Sequence, residues 1–166
     1  MPNVTSISLL FILTITLHNI EEGLWLPQWS QFAGKYHKPV GKGEFHFALI
    51  VITALAYLVS GLFMFFPQIL VLKYFFIGYV GTMIINAFVP HLVSAVVLKR
   101  YAPGLVTGIF INVPLNSLII NYVIRNKVIS LYEVVFSTLV VATLLLFSLS
   151  PLFKLGGKLI NFGKSV

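Results

Sequence analysis

Cysteine and aspartate are both absent from this sequence of 166 residues, and charged residues make up only 9% of it. Without cysteine there are no disulfides, no thiolate metal sites and no cysteine nucleophile. In soluble domains about a quarter of all residues are charged. The low share of charged residues here therefore excludes a soluble domain, a disordered tail and a coiled coil. Hydrophobic residues make up 58% of the chain, and the mean hydropathy is +0.99. The composition therefore predicts a small integral membrane protein.

Long apolar runs separated by charges divide the chain into about five segments, each close to the ~20 residues that cross a bilayer as a helix. The alternating pattern of membrane β-barrels is not found in the sequence. The first run has neither a basic start nor a small-residue cleavage pattern, so we expect a retained span and not a signal peptide. We predict an all-α, polytopic helical bundle that forms a single domain over residues 1–166. The predicted spans are residues 4–24, 45–66, 74–98, 103–124 and 128–149, and an amphipathic tail over 151–166 follows them.

Lysine and arginine are unevenly distributed between the loops, and this asymmetry predicts the orientation. Cytoplasmic loops of membrane proteins carry an excess of these residues. Eight of them follow the first, third and fifth spans, whereas three follow the second and fourth. We expect a cell-membrane protein with its N-terminus outside and its C-terminus in the cytoplasm. The net charge of +7 indicates lysines that face anionic lipid headgroups, and no nucleic-acid partner is expected. The eight residues are Lys35, Lys38, Lys42, Lys99, Arg100, Lys154, Lys158 and Lys164.

A group of ionisable residues, His18, Glu21 and Glu22, lies near the end of the first span. At helical periodicity the three side chains share one face of the helix. Ionisable side chains within a membrane are costly and are functional candidates by default. Two adjacent carboxylates near the C-terminal end of a helix repel each other and also oppose the helix dipole. We expect compensation by a retained proton, a cationic His18, a lysine of the next loop or a metal cation, unless the glutamates simply emerge into water.

Further polar residues lie at a similar depth in other spans. At 1.5 Å per residue, His18 lies roughly 9 Å and His91 roughly 10 Å inside the predicted cytoplasmic ends of their spans. His46 begins the second span on the same side. If the helices form a bundle, these histidines and both glutamates meet in one cavity that faces the cytoplasm. Pro90 is expected to kink the third span and turn His91 inward. The residues predicted to line this cavity as well are Asn86, Asn112, Asn116 and Tyr57.

The string His18-x-x-Glu21-Glu22 resembles the signature of the HXXEE-motif family of small integral membrane proteins. Asn86 with His91, and the turn over residues 101–104, are similar to later motifs of that family. The resemblance covers the first four spans. It implies a multipass protein with a shared His/Glu site, and it implies no established activity.

Three functions fit these residues. In a membrane-embedded enzyme, Glu22, Glu21 and His91 are the candidate catalytic residues, with Glu22 as the general base. A divalent metal, best Zn²⁺, is expected to use His18, Glu21, His91 and His46 as ligands for hydrolysis of a lipid, prenyl or lipidated substrate, and acid–base chemistry without a metal is equally open. A proton- or cation-coupled transporter is the second function; the small size, the lack of an inverted repeat and the clustering of charge at one face stand against it, and a homodimer could still form a pathway. A non-catalytic membrane scaffold is the third.

Overall fold

Five helices make up most of the computed structural model, which describes residues 3–32, 34 and 39–164. All five are long and apolar enough to cross a bilayer. The described residues contain no strand, so the predicted all-α helical bundle is confirmed. The helices are α1 (Val4–Trp29), α2 (Lys42–Phe65), α3 (Leu70–Leu98), α4 (Leu105–Arg125) and α5 (Leu131–Lys164).

Consecutive helices run antiparallel because short connections join most of them. In the α1–α2 pair, for example, Thr16 contacts Tyr57, whereas Asn19, further along α1, contacts Thr53, which comes earlier on α2. The C-terminal ends of α1, α3 and α5 therefore lie beside the N-terminal ends of α2 and α4. This end of the bundle, which contains Trp29 and Leu105, is called the site end below.

Two helices extend well beyond their predicted ends. Helix α1 continues to Trp29 instead of ending near residue 24, and α5 passes through Pro151 to Lys164, so the described part of 151–166 is a continuation of α5 and not a separate tail. Gly156 gives a reason, since a Cβ added there would lie 2.8 Å from the Cβ of Phe47 on α2. Such close packing offsets the free-energy cost of the backbone hydrogen bond that is lost at a proline. The other helix ends lie within four residues of their predicted positions. The described residues do not include Lys35 and Lys38, which were counted for the predicted orientation. They also do not include Val166, the last residue of the predicted tail.

Aromatic side chains dominate the core in the half of the bundle away from the site end. Phe11, Phe63 and Phe76 are each at most 1% exposed. The ring of Phe76 stacks on Phe63 with centroids 4.7 Å apart and meets Phe11 edge-on at 5.5 Å. Both arrangements are favourable for aromatic pairs beyond the area that they bury. This core holds α1, α2 and α3 together.

Helices α3 and α5 pack closely in the same half of the bundle. A Cβ added to Gly78 would lie 2.5 Å from the carbonyl oxygen of Ser137, and one added to Gly81 would clash with Thr138. Small residues of this kind allow membrane helices to approach closely. The contact fixes α3 against α5 along that half of their length.

Closer to the site end, α3 departs from regular α-helix. Wider turns replace α-helical hydrogen bonding over Ala87–Leu92, and Val89 has an extended backbone with φ −129° and ψ 111°. Pro90 follows it and has no N–H to donate, so the irregular region lies where the sequence predicts a kink. Within it, His91 is 2% exposed and points into the bundle.

Candidate metal centre

Three side chains from two helices converge in the interior near the site end. His18 and Glu22 lie one turn apart on α1, and His91 faces them from α3. Glu22 Oε1 lies 2.9 Å from His91 Nε2 and 3.5 Å from His18 Nε2, and the three atoms lie within 4.8 Å of one another. The two histidine side chains are at most 2% exposed and that of Glu22 is 13% exposed. These three residues are called the triad below.

The triad has the ligand types and the spacing of a zinc site. Zn²⁺ binds histidine nitrogen and carboxylate oxygen at about 2.0–2.2 Å in tetrahedral geometry, so neighbouring ligand atoms lie roughly 3.4 Å apart. The two distances from Glu22 Oε1, 2.9 and 3.5 Å, lie on either side of that value. Catalytic zinc sites use three protein ligands and keep the fourth position for water or substrate. The triad therefore has the ligand set of such a site, and a cation would take the place of the Asn86 amide, whose Nδ2 lies 3.0 and 3.1 Å from the two Nε2 atoms.

Asn86, on α3, contacts both histidines of the triad. Its Nδ2 lies 3.0 Å from His18 Nε2 and 3.1 Å from His91 Nε2. A carboxamide nitrogen has two hydrogens to donate and accepts none, so both Nε2 atoms accept from it and direct their lone pairs inward. Glu22 Oε1, also an acceptor, lies 2.9 Å from His91 Nε2. Two acceptors at this distance repel each other unless a proton or a metal cation lies between them.

Glu21 points away from the triad and caps the N-terminus of α4. Its carboxylate accepts the backbone N–H groups of Gly104 at 2.7 Å and Thr107 at 2.8 Å, and the Tyr101 hydroxyl also donates to it. The positive end of a helix dipole favours a carboxylate at this position. Burial, followed by the hydrogen bond to Glu21, raises the pKa of Tyr101 to about 12, so the phenol keeps its proton and donates it. Glu21, predicted as a metal ligand and a catalytic residue, has its oxygens occupied by these donors.

Thr107 connects Glu21 to the triad. Its hydroxyl lies 2.6 Å from Glu21 Oε2 and 3.1 Å from His18 Nδ1. A carboxylate can only accept, so the single hydroxyl proton goes to Glu21 and the oxygen accepts from His18 Nδ1–H. Neutral His18 thus carries its proton on Nδ1 and leaves the lone pair of Nε2 to face the interior, where a metal could bind it. A carboxylate that fixes a histidine in this way is typical of zinc sites. Sequence reasoning predicted a role for neither Thr107 nor Tyr101, although the helix start after Gly104 was a signal for a capping carboxylate.

Gly104 allows the connection before α4 to pass directly beside the triad. Its φ of +91° lies in the left-handed region, which side chains other than glycine rarely adopt. A Cβ added there would lie 2.5 Å from His91 Cε1 and 2.8 Å from His91 Nδ1. The position needs glycine for its backbone conformation and for the space that His91 occupies.

The charge of the region favours a divalent cation. Glu21 and Glu22 together carry two negative charges as carboxylates, and buried charges require compensation. Within the described part of the chain, Glu22 pairs only with His18 and His91, and Glu21 forms no ion pair with a lysine, an arginine or a histidine. One divalent cation bound between two neutral imidazoles would make the site neutral overall.

His46 and Tyr57, both on α2, lie apart from the triad. The Nε2 of His46, predicted as a metal ligand, is 2.7 Å from the carbonyl oxygen of Gly23. The Tyr57 hydroxyl, predicted to line the cavity, instead contacts the Thr16 hydroxyl in a surface groove between α1 and α2. Both side chains therefore connect α1 with α2.

Asn112 and Asn116 lie deeper in the interior, on α4. Both are fully buried, and Asn116 Nδ2 lies 3.4 Å from Asn112 Oδ1. The Thr14 hydroxyl on α1 lies 3.4 Å from Asn116 Oδ1. Both residues were predicted to line the cavity. The structure places them between α1 and α4 instead, in the kind of position where amides join membrane helices.

A cavity of about 310 Å³ lies beside the triad. Glu22, Asn86 and His91 are among the polar residues of its wall, and most of the remainder is apolar side chains of α1, α2, α3 and α5. Of the described residues that line it, Glu22 is the one carboxylate. Ligand pockets typically measure about 300–1,000 Å³, so this cavity suits a slender apolar ligand with one polar group.

Comparison with known sequences identifies the family. The family described as "Protein of unknown function with HXXEE motif" matches residues 9–119, which is more than half of the chain and includes the triad, Asn86 and Thr107. The chain belongs to the HXXEE-motif family. In this member, the histidine and the second glutamate of the motif belong to the triad, whereas the first glutamate caps α4.

One relative covers nearly the whole chain. It is a protein of Bacillus subtilis (strain 168) named "Uncharacterized protein YrkK", which is 51% identical over 148 residues, 89% of this chain and 94% of the relative. No solved structure matches the chain.

Proposed function

We propose that this protein is a membrane-embedded hydrolase in which His18, Glu22 and His91 hold a divalent cation, best Zn²⁺. The observation that carries the proposal is the convergence of their three ligand atoms within 4.8 Å of one another in a buried position. The hydrogen bond from His18 to Thr107, itself bonded to Glu21, adds the support that zinc-binding histidines usually have. The charges of Glu21, Glu22 and one divalent cation would add up to zero, which is a further argument for a bound metal.

The chemistry follows from the positions of the cation ligands and the cavity. A bound cation polarises a carbonyl oxygen and eases the loss of a proton from water. Glu22 would hold the cation through one carboxylate oxygen and accept that proton on the other, since it is the one carboxylate among the described residues of the cavity wall. In the hydrolysis of an acyl ester, the water oxygen bonds to the carbonyl carbon and the ester C–O bond breaks. The proton passes from Glu22 to the departing alcohol, and the products are a carboxylic acid and an alcohol.

The apolar cavity favours a substrate that resides in the bilayer, such as a lipid, a prenyl compound or a lipidated molecule. The excess of lysine and arginine in the loops at the site end supports a reaction on the cytoplasmic side of the cell membrane. With this orientation the N-terminus lies outside the cell.

One observation favours a second candidate, an acid–base enzyme that uses no metal. The 2.9 Å separation of Glu22 Oε1 and His91 Nε2 is also that of a hydrogen bond with a shared proton. Such a pair could move a proton on an isoprenoid or sterol-like substrate. The two candidates differ in metal content and in their response to chelation.

Transport is less well supported than catalysis. Ion pathways in carriers need polar groups or water along the whole bundle. Here the packed rings of Phe11, Phe63 and Phe76 fill the core in the half away from the site end. Cation flux in proteoliposomes that is lost in Glu22→Gln would instead favour the transporter.

The hydrolase is tested by turnover of a series of acyl esters by the purified protein in proteoliposomes. We expect hydrolysis that stops in Glu22→Gln and His91→Ala and after treatment with a zinc chelator, and that returns when Zn²⁺ is added back. Glu133→Gln, at the opposite end of the bundle, is the matched control and should keep the wild-type rate. Equal rates in all four proteins, or no hydrolysis of any ester by the wild type, would overturn the proposal.

A further inference from the structure

The polar groups that the cavity offers to a ligand are concentrated at one level. Glu22, Asn86 and His91 lie there, whereas other polar side chains of the wall are bonded within the protein. The Tyr79 hydroxyl donates to the Ile52 carbonyl at 3.0 Å. Similarly, Thr82 donates to Gly78 at 2.8 Å, and Asn19 donates to Thr53 at 2.6 Å. Away from the triad the wall is therefore apolar in effect.

The cavity extends along α1 in both directions from the triad. Ile15, Asn19, Glu22 and Leu26 line it from this helix. At 1.5 Å per residue, Ile15 lies about 10 Å from Glu22 toward the middle of the bundle, and Leu26 lies about 6 Å toward the site end. The longer apolar arm thus points to the middle of the bilayer, and the reacting groups lie beside the slot instead of at its closed end.

The side of the cavity between α3 and α5 is open to the surroundings. Ile85, Val89 and Leu146 line the cavity but are 40%, 58% and 68% exposed. The tight contact of the two helices at Gly78 and Gly81 lies further from the site end. Beyond it, α3 loses regular helical form over Ala87–Leu92, and the cavity separates the helices. In a membrane this opening faces lipid chains.

We propose that a single-chain fatty acyl ester of the bilayer enters sideways between α3 and α5 and places its carbonyl group at the triad. This inference rests on the proposed hydrolase and names its substrate class and its route of entry. The cavity volume of about 310 Å³, at the small end of ligand pockets, suits one chain and not the paired chains of a phospholipid. The chain moves from one apolar environment to another, so burial gives little selectivity, and the polar ester group determines what is bound.

The route is tested with an acyl ester that carries a photoreactive diazirine in its chain, incorporated into liposomes with the protein. Labelled peptides are then identified by mass spectrometry. We expect labels on α3 and α5 at cavity residues such as Met83 and Leu145. Leu146→Trp and, as a second variant, Ile85→Trp should reduce these labels about tenfold by filling the opening. Phe147→Trp is the matched control, because Phe147 is 79% exposed on the same helix and does not line the cavity.

Labelling does not require turnover, so the two proposals fail separately. Labels spread evenly over the lipid-facing surface, or labels unaffected by both Leu146→Trp and Ile85→Trp, would overturn lateral entry even if the ester is hydrolysed. If the labels are confined to the cavity but the protein hydrolyses no ester, the proposed binding site stands and the proposed hydrolase is overturned. Glu22→Gln should keep the labels while it loses turnover.

Discussion

The two ends of the bundle each contain a carboxylate with several partners, but the partners differ in kind. At the end opposite the site end, Glu133 accepts the backbone N–H of Ser130 at 2.8 Å, its hydroxyl at 2.7 Å and the Tyr74 hydroxyl at 2.7 Å. Glu22 instead faces the Nε2 atoms of two imidazoles and the cavity. One N–H and two hydroxyl groups, which keep their protons, hold Glu133 in place as a helix cap. The imidazoles leave Glu22 able to exchange a proton or share a metal.

Glu21 shows that this difference arises from the partners and not from position in the chain. It is adjacent to Glu22 in the sequence and lies at the same end of the bundle, yet its environment is that of Glu133. Backbone N–H groups at a helix N-terminus and hydroxyl groups surround it. We therefore propose that Glu21 supports the triad and that Glu22 takes part in its chemistry.

The largest expected effect is that of Gly104→Ala. The added methyl group would meet His91 Cε1 at 2.5 Å, in a backbone conformation that alanine rarely adopts. Displacement of this proposed ligand should weaken Zn²⁺ binding by about 100-fold or more, as measured by competition with a chelating dye. Gly61→Ala is the control, because a Cβ added at Gly61 has no atom within 4 Å. Equal zinc affinity in the two variants would show that His91 is not a ligand.

A smaller effect is expected for Thr107→Val, which separates the Glu21 cap from the triad while preserving side-chain volume. Without the acceptor for His18 Nδ1–H, the ligand tautomer is no longer fixed, and zinc affinity should fall by about tenfold. Thr107→Ser restores the hydroxyl group and should restore the affinity. Loss of thermal stability in Thr107→Val with unchanged zinc affinity would make Thr107 purely structural.

Glu21→Gln should act mainly on stability. The amide NH₂ would face the N–H donors of Gly104 and Thr107, and loss of a hydrogen bond to a charged group costs about 1.5–3 kcal/mol. We expect a lower unfolding temperature in detergent micelles, whereas Glu22→Gln should unfold close to the wild type in metal-free buffer. If Glu22→Gln is the less stable of the two, the contrast between the two glutamates is wrong.

The smallest effect is expected at the opposite end, for Glu133→Gln. The change weakens a cap at the start of α5, so a slight loss of thermal stability is expected, smaller than that of Glu21→Gln. Metal content and turnover should stay at wild-type levels, since Glu133 lies at the far end of the bundle from the triad. A fall in metal content in this variant would point to a second cation site.

Much of the fold follows from the spacing of apolar runs, because each helix must cross the same thickness of bilayer. The extension of α5 through Pro151 was not predicted, since a proline normally ends a helix and only the contact of Gly156 with Phe47 shows why it does not. Helix ends depend on tertiary packing, which the hydropathy of the sequence does not predict.

The site illustrates the same limit at the level of single residues. His18 and Glu22 are one helical turn apart, so their meeting follows from periodicity alone. Periodicity could not separate Glu21 from Glu22, because the donors that occupy Glu21 come from a turn some 80 residues later in the chain. His46, at a depth similar to that of Gly23, bonds to a carbonyl group there, and depth does not reveal the direction of a side chain.

The most direct test is the zinc content of the purified protein, measured by elemental analysis together with His18→Ala, His91→Ala and His46→Ala. His46 is the matched control, because it is an imidazole near the site end that bonds to the Gly23 carbonyl outside the triad. We expect one zinc ion per chain in the wild type and in His46→Ala, and none in His18→Ala or His91→Ala. A wild-type protein without a bound divalent metal, or an equal content in all four proteins, would contradict a metal centre built from His18, Glu22 and His91.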